Sequence, residues 1–145
     1  MLNVIRRTHL IVGLAGVAAF LGTGLYMDRV HGHLRGYDDT VRMLYRSTHI
    51  YLLLSASINV MTGLYLKQAE SSARRMLQCL GSAALIVGPP LLLAGFCQEP
   101  YLSGLARPWS RIAIYLTLAG VVFHLLSAVR RWGAPVDQDR CAADA

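Results

Sequence analysis

The sequence predicts an all-α integral membrane protein, folded as an antiparallel bundle of four transmembrane helices. Only 15% of the 145 residues are charged and 54% are hydrophobic, whereas soluble domains carry about 25% charged residues. Four runs almost free of charge recur along the chain, each close to the roughly 20 residues that cross a bilayer. The polar connections between them are short, so neighbouring helices are expected to run in opposite directions.

The four apolar runs define the predicted elements. Each run is expected to be helical, because backbone groups without hydrogen bonds are costly in lipid. The predicted spans are about residues 9–27, 47–66, 76–98 and 109–130. They belong to one membrane domain of residues 1–132. Residues 133–145 are predicted to form a short polar C-terminal tail. The third span contains Pro89 and Pro90, which remove two backbone donors, so this helix is predicted to be kinked or broken there.

The basic residues predict an orientation and argue against nucleic acid as a partner. The net charge is +6, but the Lys and Arg residues flank the apolar runs, where anionic membrane lipids attract them. With four spans, eight of the 14 lie on the side of both termini and six on the other side. The positive-inside rule then places both termini in the cytoplasm, with the chain in a bacterial cytoplasmic (inner) membrane.

Polar and small residues recur along one face of several spans. Lipid gives no reason for such faces, whereas small residues allow membrane helices to approach and polar side chains hydrogen-bond between them. We therefore expect an inward-facing polar core of the bundle, formed by Ser55, Asn59, Thr117 and His124.

His124 is the most informative residue of this core, because an ionisable side chain inside a span indicates a functional site. Counted along ideal helices, His124 and Asn59 lie roughly 22 Å and roughly 18 Å from the same membrane surface. Since these depths agree within a helical turn, a hydrogen bond between the two side chains is expected.

Haem b is an alternative occupant of the membrane interior, and it would need two axial histidines at matching depth. His9 and His124 are the candidate ligands, because His49 differs from His124 in depth by roughly 20 Å. His9 is expected at the lipid headgroups beside Arg6 and Arg7, so the prediction is that no cofactor is bound.

Neither a metal site nor a disulfide framework is predicted. One loop has suitable ligand types, but their spacing matches no strong metal site; it contains His31, His33, Asp38 and Asp39. None of the three cysteines forms a Cys-x-x-Cys pair. Cys79 and Cys97 lie roughly 27 Å apart along one predicted helix, too far for a disulfide.

The first two spans share residues at both ends. Each begins with Thr-His, at Thr8 and Thr48, and each ends with Thr-Gly-Leu-Tyr, at residues 23–26 and 62–65. A repeat would relate these antiparallel spans by a pseudo-two-fold axis in the membrane plane, as in some transporters. Coincidence between two short apolar segments is the other interpretation.

Charged and aromatic residues are expected at the membrane surfaces. Glu99 is expected to form an ion pair near the headgroups with Arg107, Arg111 or Arg46. The large aromatic residues suit the interfacial belt of membrane proteins; they are Tyr101, Trp109 and Trp132.

The sequence contains no catalytic motif, so the protein is expected not to be an enzyme. The favoured function is a non-catalytic accessory or scaffold subunit of a larger membrane complex, because small-residue faces suit contact with other membrane subunits or with a second copy. A small transporter or channel-like protein with a polar site in mid-membrane is the first alternative. A b-type haem electron-transfer subunit is the second.

Overall fold

A computed structural model of the chain describes residues 2–69, 71–102 and 105–128. Within these ranges the secondary structure is entirely helical and contains no β-strand, so the all-α prediction is confirmed. The four long helices are α1 (Leu2–Arg29), α2 (Asp39–Tyr65), α3 (Ser72–Gln98) and α4 (Pro108–Ala128). Short 3-10 helices at Gly32–Leu34 and Glu99–Tyr101 precede α2 and follow α3. The predicted polar tail and Trp132 lie outside the described residues.

Three helices in the described part of the chain are long and apolar enough to cross a membrane. They are α1, α4, and α3 extended by the 3-10 turn that follows it. To that extent the prediction of membrane-spanning helices is confirmed. α2 has a comparable length of 27 residues but is more polar. Its Thr48, Ser55 and Asn59 are buried, so the side chains that make it polar belong to the protein interior.

Capping groups set the helix ends, so several helices begin well before the predicted apolar run. The Asp38 carboxylate accepts a hydrogen bond from the Thr40 backbone at 3.1 Å and starts α2. At the other end of α2, Arg6 of α1 donates to the carbonyls of Gly63 and Leu64 at 3.0 Å and 2.9 Å. These carbonyls belong to the last turn, where a cation is favourable to the helix dipole.

Glycines bring the helices into close antiparallel contact. A β-carbon at Gly13 of α1 would lie 2.7 Å from the backbone nitrogen of Val60 on α2. A β-carbon at Gly81 of α3 would lie 3.0 Å from the carbonyl oxygen of Gly120 on α4. Small residues permit such approach between membrane helices. The small-residue faces seen in the sequence therefore pack against helices of the same chain.

α3 continues as one helix from Ser72 to Gln98, with Pro89 and Pro90 inside it. The helix is not interrupted at the prolines, and a bend at this point stays a prediction. The Pro89 ring packs against α1, where its β-carbon lies 3.5 Å from the position of a β-carbon at Gly16. The turn that lacks two backbone donors is thus held by a neighbouring helix.

Candidate functional site

Asn59 lies at the centre of a buried polar cluster between α1, α2 and α3. Its side chain has no exposed surface. The amide nitrogen donates to two carbonyls, those of Ser55 at 2.9 Å and Leu85 at 2.8 Å. The amide oxygen lies 2.8 Å from Nδ1 of His9. Because both amide protons are used by carbonyls, the orientation of the amide is fixed and its oxygen must accept a hydrogen bond from His9.

This hydrogen bond determines the tautomer of His9. If Nδ1 donates its proton to Asn59, then Nε2 of the neutral ring carries a lone pair and no proton. His9 has no exposed surface, and its Nε2 has no hydrogen-bond partner among the described residues. Most buried polar atoms in proteins are hydrogen-bonded, so an unpartnered lone pair in this position needs an explanation.

The ring of His124 lies near the ring of His9. The ring centroids of His9 and His124 are 6.3 Å apart, with an angle of 69° between the ring planes. Nε2 of His124 lies 3.3 Å from the Ser82 hydroxyl on α3. His124 also lines a cavity of about 420 Å³ together with Met61, Thr62, Lys67 and Gln78, among others. The cavity makes His124 accessible, whereas His9 does not line it.

The expected hydrogen bond between Asn59 and His124 is wrong. His9 holds the amide oxygen of Asn59, and His124 contacts Ser82 instead. His9 is completely buried within the protein, on a helix that begins at Leu2, and its depth relative to the headgroups stays a prediction.

The remaining residues of the predicted polar core meet one turn deeper. Ser55 and Thr117 are buried, and their hydroxyls lie 3.4 Å apart. A second hydroxyl pair, Thr48 and Ser110, lies seven residues earlier on both helices at 3.2 Å. Leu52 belongs to a buried apolar cluster between these pairs along α2. The polar groups therefore form separate layers rather than a continuous polar path through the described residues.

Glu99 forms a second buried polar cluster, at the opposite end of the helices. It has no exposed surface and accepts hydrogen bonds from the Ser110 backbone at 2.7 Å and from the Ser110 hydroxyl at 2.6 Å. Arg107 lies 3.9 Å from the same carboxylate, which confirms the predicted ion pair between them. Because α4 begins at Pro108, the carboxylate caps the positive end of that helix.

The burial of Glu99 escaped the sequence prediction, which placed it among the lipid headgroups. Arg107 extends the cluster to α2 by donating to the Ser47 hydroxyl at 2.8 Å. The sequence contained a signal for this burial. Glu99 directly follows the third apolar run and comes before Pro108, which starts the next helix. The cluster joins three helices, and every polar atom of the carboxylate has a partner. It is therefore explained by its structural role.

Contacts between α1 and α2 follow the pattern that an inverted repeat predicts. His9, near the start of α1, reaches Asn59 near the end of α2. His49, in the first half of α2, lies 2.9 Å from the Thr23 hydroxyl near the end of α1 and stacks on Phe20 with centroids 4.0 Å apart. The repeat itself stays a prediction, since the two histidines meet different partners.

The haem alternative would need space for a macrocycle between His9 and His124, and it stays a prediction. Haem ligation would place two imidazoles on opposite faces of a flat macrocycle, each about 2 Å from iron. The direct bond from Asn59 to the Leu85 carbonyl joins α2 to α3 at this level, and Gly81 contacts α4 within 3.0 Å. A macrocycle between the rings would require these helices to separate.

Each histidine of the predicted loop has one polar contact within the protein, and Nε2 of His31 is buried without a hydrogen-bond partner among the described residues. Nδ1 of His31 lies 2.6 Å from the Tyr37 hydroxyl, and Nε2 of His33 lies 2.7 Å from the Asp28 carboxylate. Across the described residues, no group of three or more His, Cys, Asp or Glu side chains could hold a metal ion. A metal ion with four protein ligands therefore has no site in this part of the chain.

A further cavity of about 430 Å³ lies at the same end as Glu99, between α1, α2 and α3. Its wall is mainly aromatic and apolar and includes Tyr26, Tyr45, Phe96 and Tyr101. Tyr45 and Phe96 belong to a buried cluster with Leu34, which anchors the loop before α2. This cavity contains no unpartnered buried polar atom, in contrast to the His9 cluster.

No protein-family model matches this chain, and neither a curated protein nor a solved structure is significantly similar to it. Its function must therefore be argued from the arrangement of its own residues.

Proposed function

We propose that this chain is a small membrane carrier that binds a proton or a small cation at a site within the bilayer formed by His9, Asn59 and His124. The observation that carries the proposal is Nε2 of His9, which is buried without a hydrogen-bond partner next to the ring of a second histidine. An unsatisfied buried acceptor costs about 1–3 kcal/mol. A ligand that accepts an electron pair, namely a proton or a cation, would offset that cost.

The proposal includes four membrane spans, with α2 as the second. The 27 residues of α2 are enough to cross the hydrocarbon layer, and its polar side chains face the other helices. The antiparallel contacts of α1 with α2 and of α3 with α4 support an antiparallel four-transmembrane-helix bundle. Both termini are cytoplasmic in a bacterial inner membrane, as the distribution of basic residues favours.

The accessory-subunit function stays the alternative proposal. It rests mainly on the absence of a catalytic motif, and the small-residue faces that also suggested it include Gly13, Gly16, Gly81 and Gly120, which pack within the chain. Partner subunits or self-association stay a prediction. Purification in mild detergent tests it, because the return of the 15.9 kDa chain alone as a monomer would contradict a stable complex.

A carrier agrees better with the packing than an open channel does. The polar layers at Thr48–Ser110 and Ser55–Thr117 are separated by apolar side chains such as Leu52. Access to His124 comes from one side, through the cavity that it lines. Transport would therefore involve a change in helix packing rather than diffusion through a pore.

Flux measurements in proteoliposomes test the proposal. Purified protein is reconstituted, and proton and monovalent or divalent cation movement is followed with enclosed indicator dyes under an imposed gradient. We expect flux above that of empty liposomes, lost in His9→Gln and in His124→Gln. His33→Gln is the matched control, because His33 is exposed and pairs with Asp28 outside the cluster. Flux that is equal in the wild type, the two variants and empty liposomes would contradict the function.

A further inference from the structure

We infer that the ion bound at this site is monovalent copper, Cu(I), held between Nε2 of His9 and one ring nitrogen of His124. The inference rests on the proposed function and names its ligand. The two histidines lie on α1 and α4, which meet the α2–α3 pair from different sides, so the site exists only when all four helices are packed.

The separation of the rings fits two imidazoles on one metal ion. A metal–nitrogen distance is about 2 Å, and each ring nitrogen lies about 1 Å from its ring centre, so two opposed imidazoles have centroids about 6 Å apart. The observed distance between the centroids of His9 and His124 is 6.3 Å. The separation of the ring centroids therefore matches that of two imidazoles bound to one ion.

The hydrogen bond from His9 to Asn59 holds the His9 ring as the ring of a metal ligand is usually held. Metal-binding histidines usually donate the other ring N–H to an oxygen, which fixes the tautomer and directs the lone pair at the metal. Asn59 provides this oxygen at 2.8 Å and is itself held by two carbonyls. On His124, the Ser82 hydroxyl contacts Nε2 and leaves Nδ1 without a hydrogen bond among the described residues.

The number of ligands selects Cu(I) over other metals. Zinc requires three or four protein ligands, and the described residues offer no group of three. Calcium and magnesium prefer oxygen ligands, whereas imidazole suits copper. Cu(I) is stable with two nitrogen ligands in a linear arrangement.

The charge of the ion also favours Cu(I). A monovalent ion loses less hydration free energy than a divalent ion when it enters a membrane interior. The wall of the cavity that His124 lines contains Met61, whose thioether is a soft ligand of the kind that favours Cu(I).

Competition for Cu(I) with a chromophoric chelator, under anaerobic reducing conditions, tests the inference. The protein is purified in detergent with Cys79, Cys97 and Cys141 all replaced by serine, because thiolates would bind Cu(I) independently. We expect one Cu(I) per chain, and X-ray absorption showing two nitrogen ligands at about 2 Å. His9→Gln and His124→Gln should abolish binding, whereas His49→Gln, whose ring contacts Thr23 at the other end of α1, should bind like the parent.

Asn59→Ala separates a positioning role from a purely structural one. Loss of the group that hydrogen-bonds to a metal ligand typically lowers metal affinity by about 10- to 100-fold. The two nitrogen ligands should remain visible in the X-ray absorption spectrum. Circular dichroism and gel filtration show whether each variant keeps its helices and its size. If His9→Gln loses its helices or its size, the inference is tested by the X-ray absorption spectrum of the cysteine-free protein that keeps both histidines. That spectrum must show two nitrogen ligands.

Several results would overturn the inference. Stoichiometry well below one Cu(I) per chain would do so, as would unchanged binding in both histidine variants or tighter binding of Zn²⁺ than of Cu(I). The proposed function fails separately: proton flux that depends on His9 without copper binding would keep the carrier and remove copper as its ligand. Copper binding without any flux would keep the site and remove the carrier.

Discussion

Replacing Gly88 by alanine should destabilise the fold, because this glycine is the point where three helices meet. A β-carbon at Gly88 of α3 would lie 2.7 Å from the Ser55 hydroxyl of α2 and 2.9 Å from the Thr117 hydroxyl of α4. Both distances are shorter than a real β-carbon contact. The hydroxyls would have to move apart and give up the hydrogen bond between them.

The size of the effect follows from three terms. Overpacking of a tight interior costs about 1–3 kcal/mol, and loss of one hydrogen bond between membrane helices costs about 0.6 kcal/mol on average. Alanine is a better helix former than glycine by about 1 kcal/mol. The net decrease in the free energy of unfolding should therefore lie between about 0.6 and about 2.6 kcal/mol.

Reversible unfolding in mixed detergent micelles, followed by circular dichroism, measures this free energy. Gly22→Ala is the matched control, because no atom lies within 4 Å of its β-carbon position on α1 and the substitution should be neutral or stabilising. Adding Ser55→Ala to Gly88→Ala removes the nearer of the two contacts and should recover part of the loss. If Gly88→Ala were as stable as Gly22→Ala, the close approach of the three helices would be refuted.

Three other predictions follow from the polar clusters and the topology. Glu99→Gln should lower the free energy of unfolding by about 1.5–3 kcal/mol, because a charged acceptor at the start of α4 is lost; unchanged stability in the same micelle assay would contradict the capping role. A pyridine haemochrome assay on protein from haem-replete cells should give no signal, and one haem per chain, lost in both His9→Ala and His124→Ala, would contradict the close packing around Asn59. In a cysteine-free background, single cysteines at positions 38 and 70 should label from opposite sides of the membrane, and labelling from the same side would rule out four spans.

The sequence was sufficient to predict the helices and much of the polar interior. Long apolar runs bounded by charge are a local property, and among the described residues each of them lies within a long helix to within one residue. The inward direction of Ser55, Asn59 and Thr117 was also readable, since polar groups at helical spacing avoid lipid. The helix ends were less predictable, because caps such as Asp38 extend a helix beyond its apolar part.

The pairing of the histidines could not be predicted, because it depends on how far each helix is shifted along its neighbour. Contacts such as Gly13 with Val60 set that shift for α1 and α2, and they bring His9 rather than His124 to Asn59.

The sequence by itself thus determined the membrane class, the number and order of the helices and the set of polar side chains that must be buried, because these depend on composition and periodicity along one segment. Only the tertiary structure decided which of those side chains meet. The direction of the Asn59 amide, the unpartnered Nε2 of His9 and the distance between the rings of His9 and His124 arise from four helices brought together. No single stretch of sequence contains that information, since hydrogen bonds between helices depend on their relative position in three dimensions.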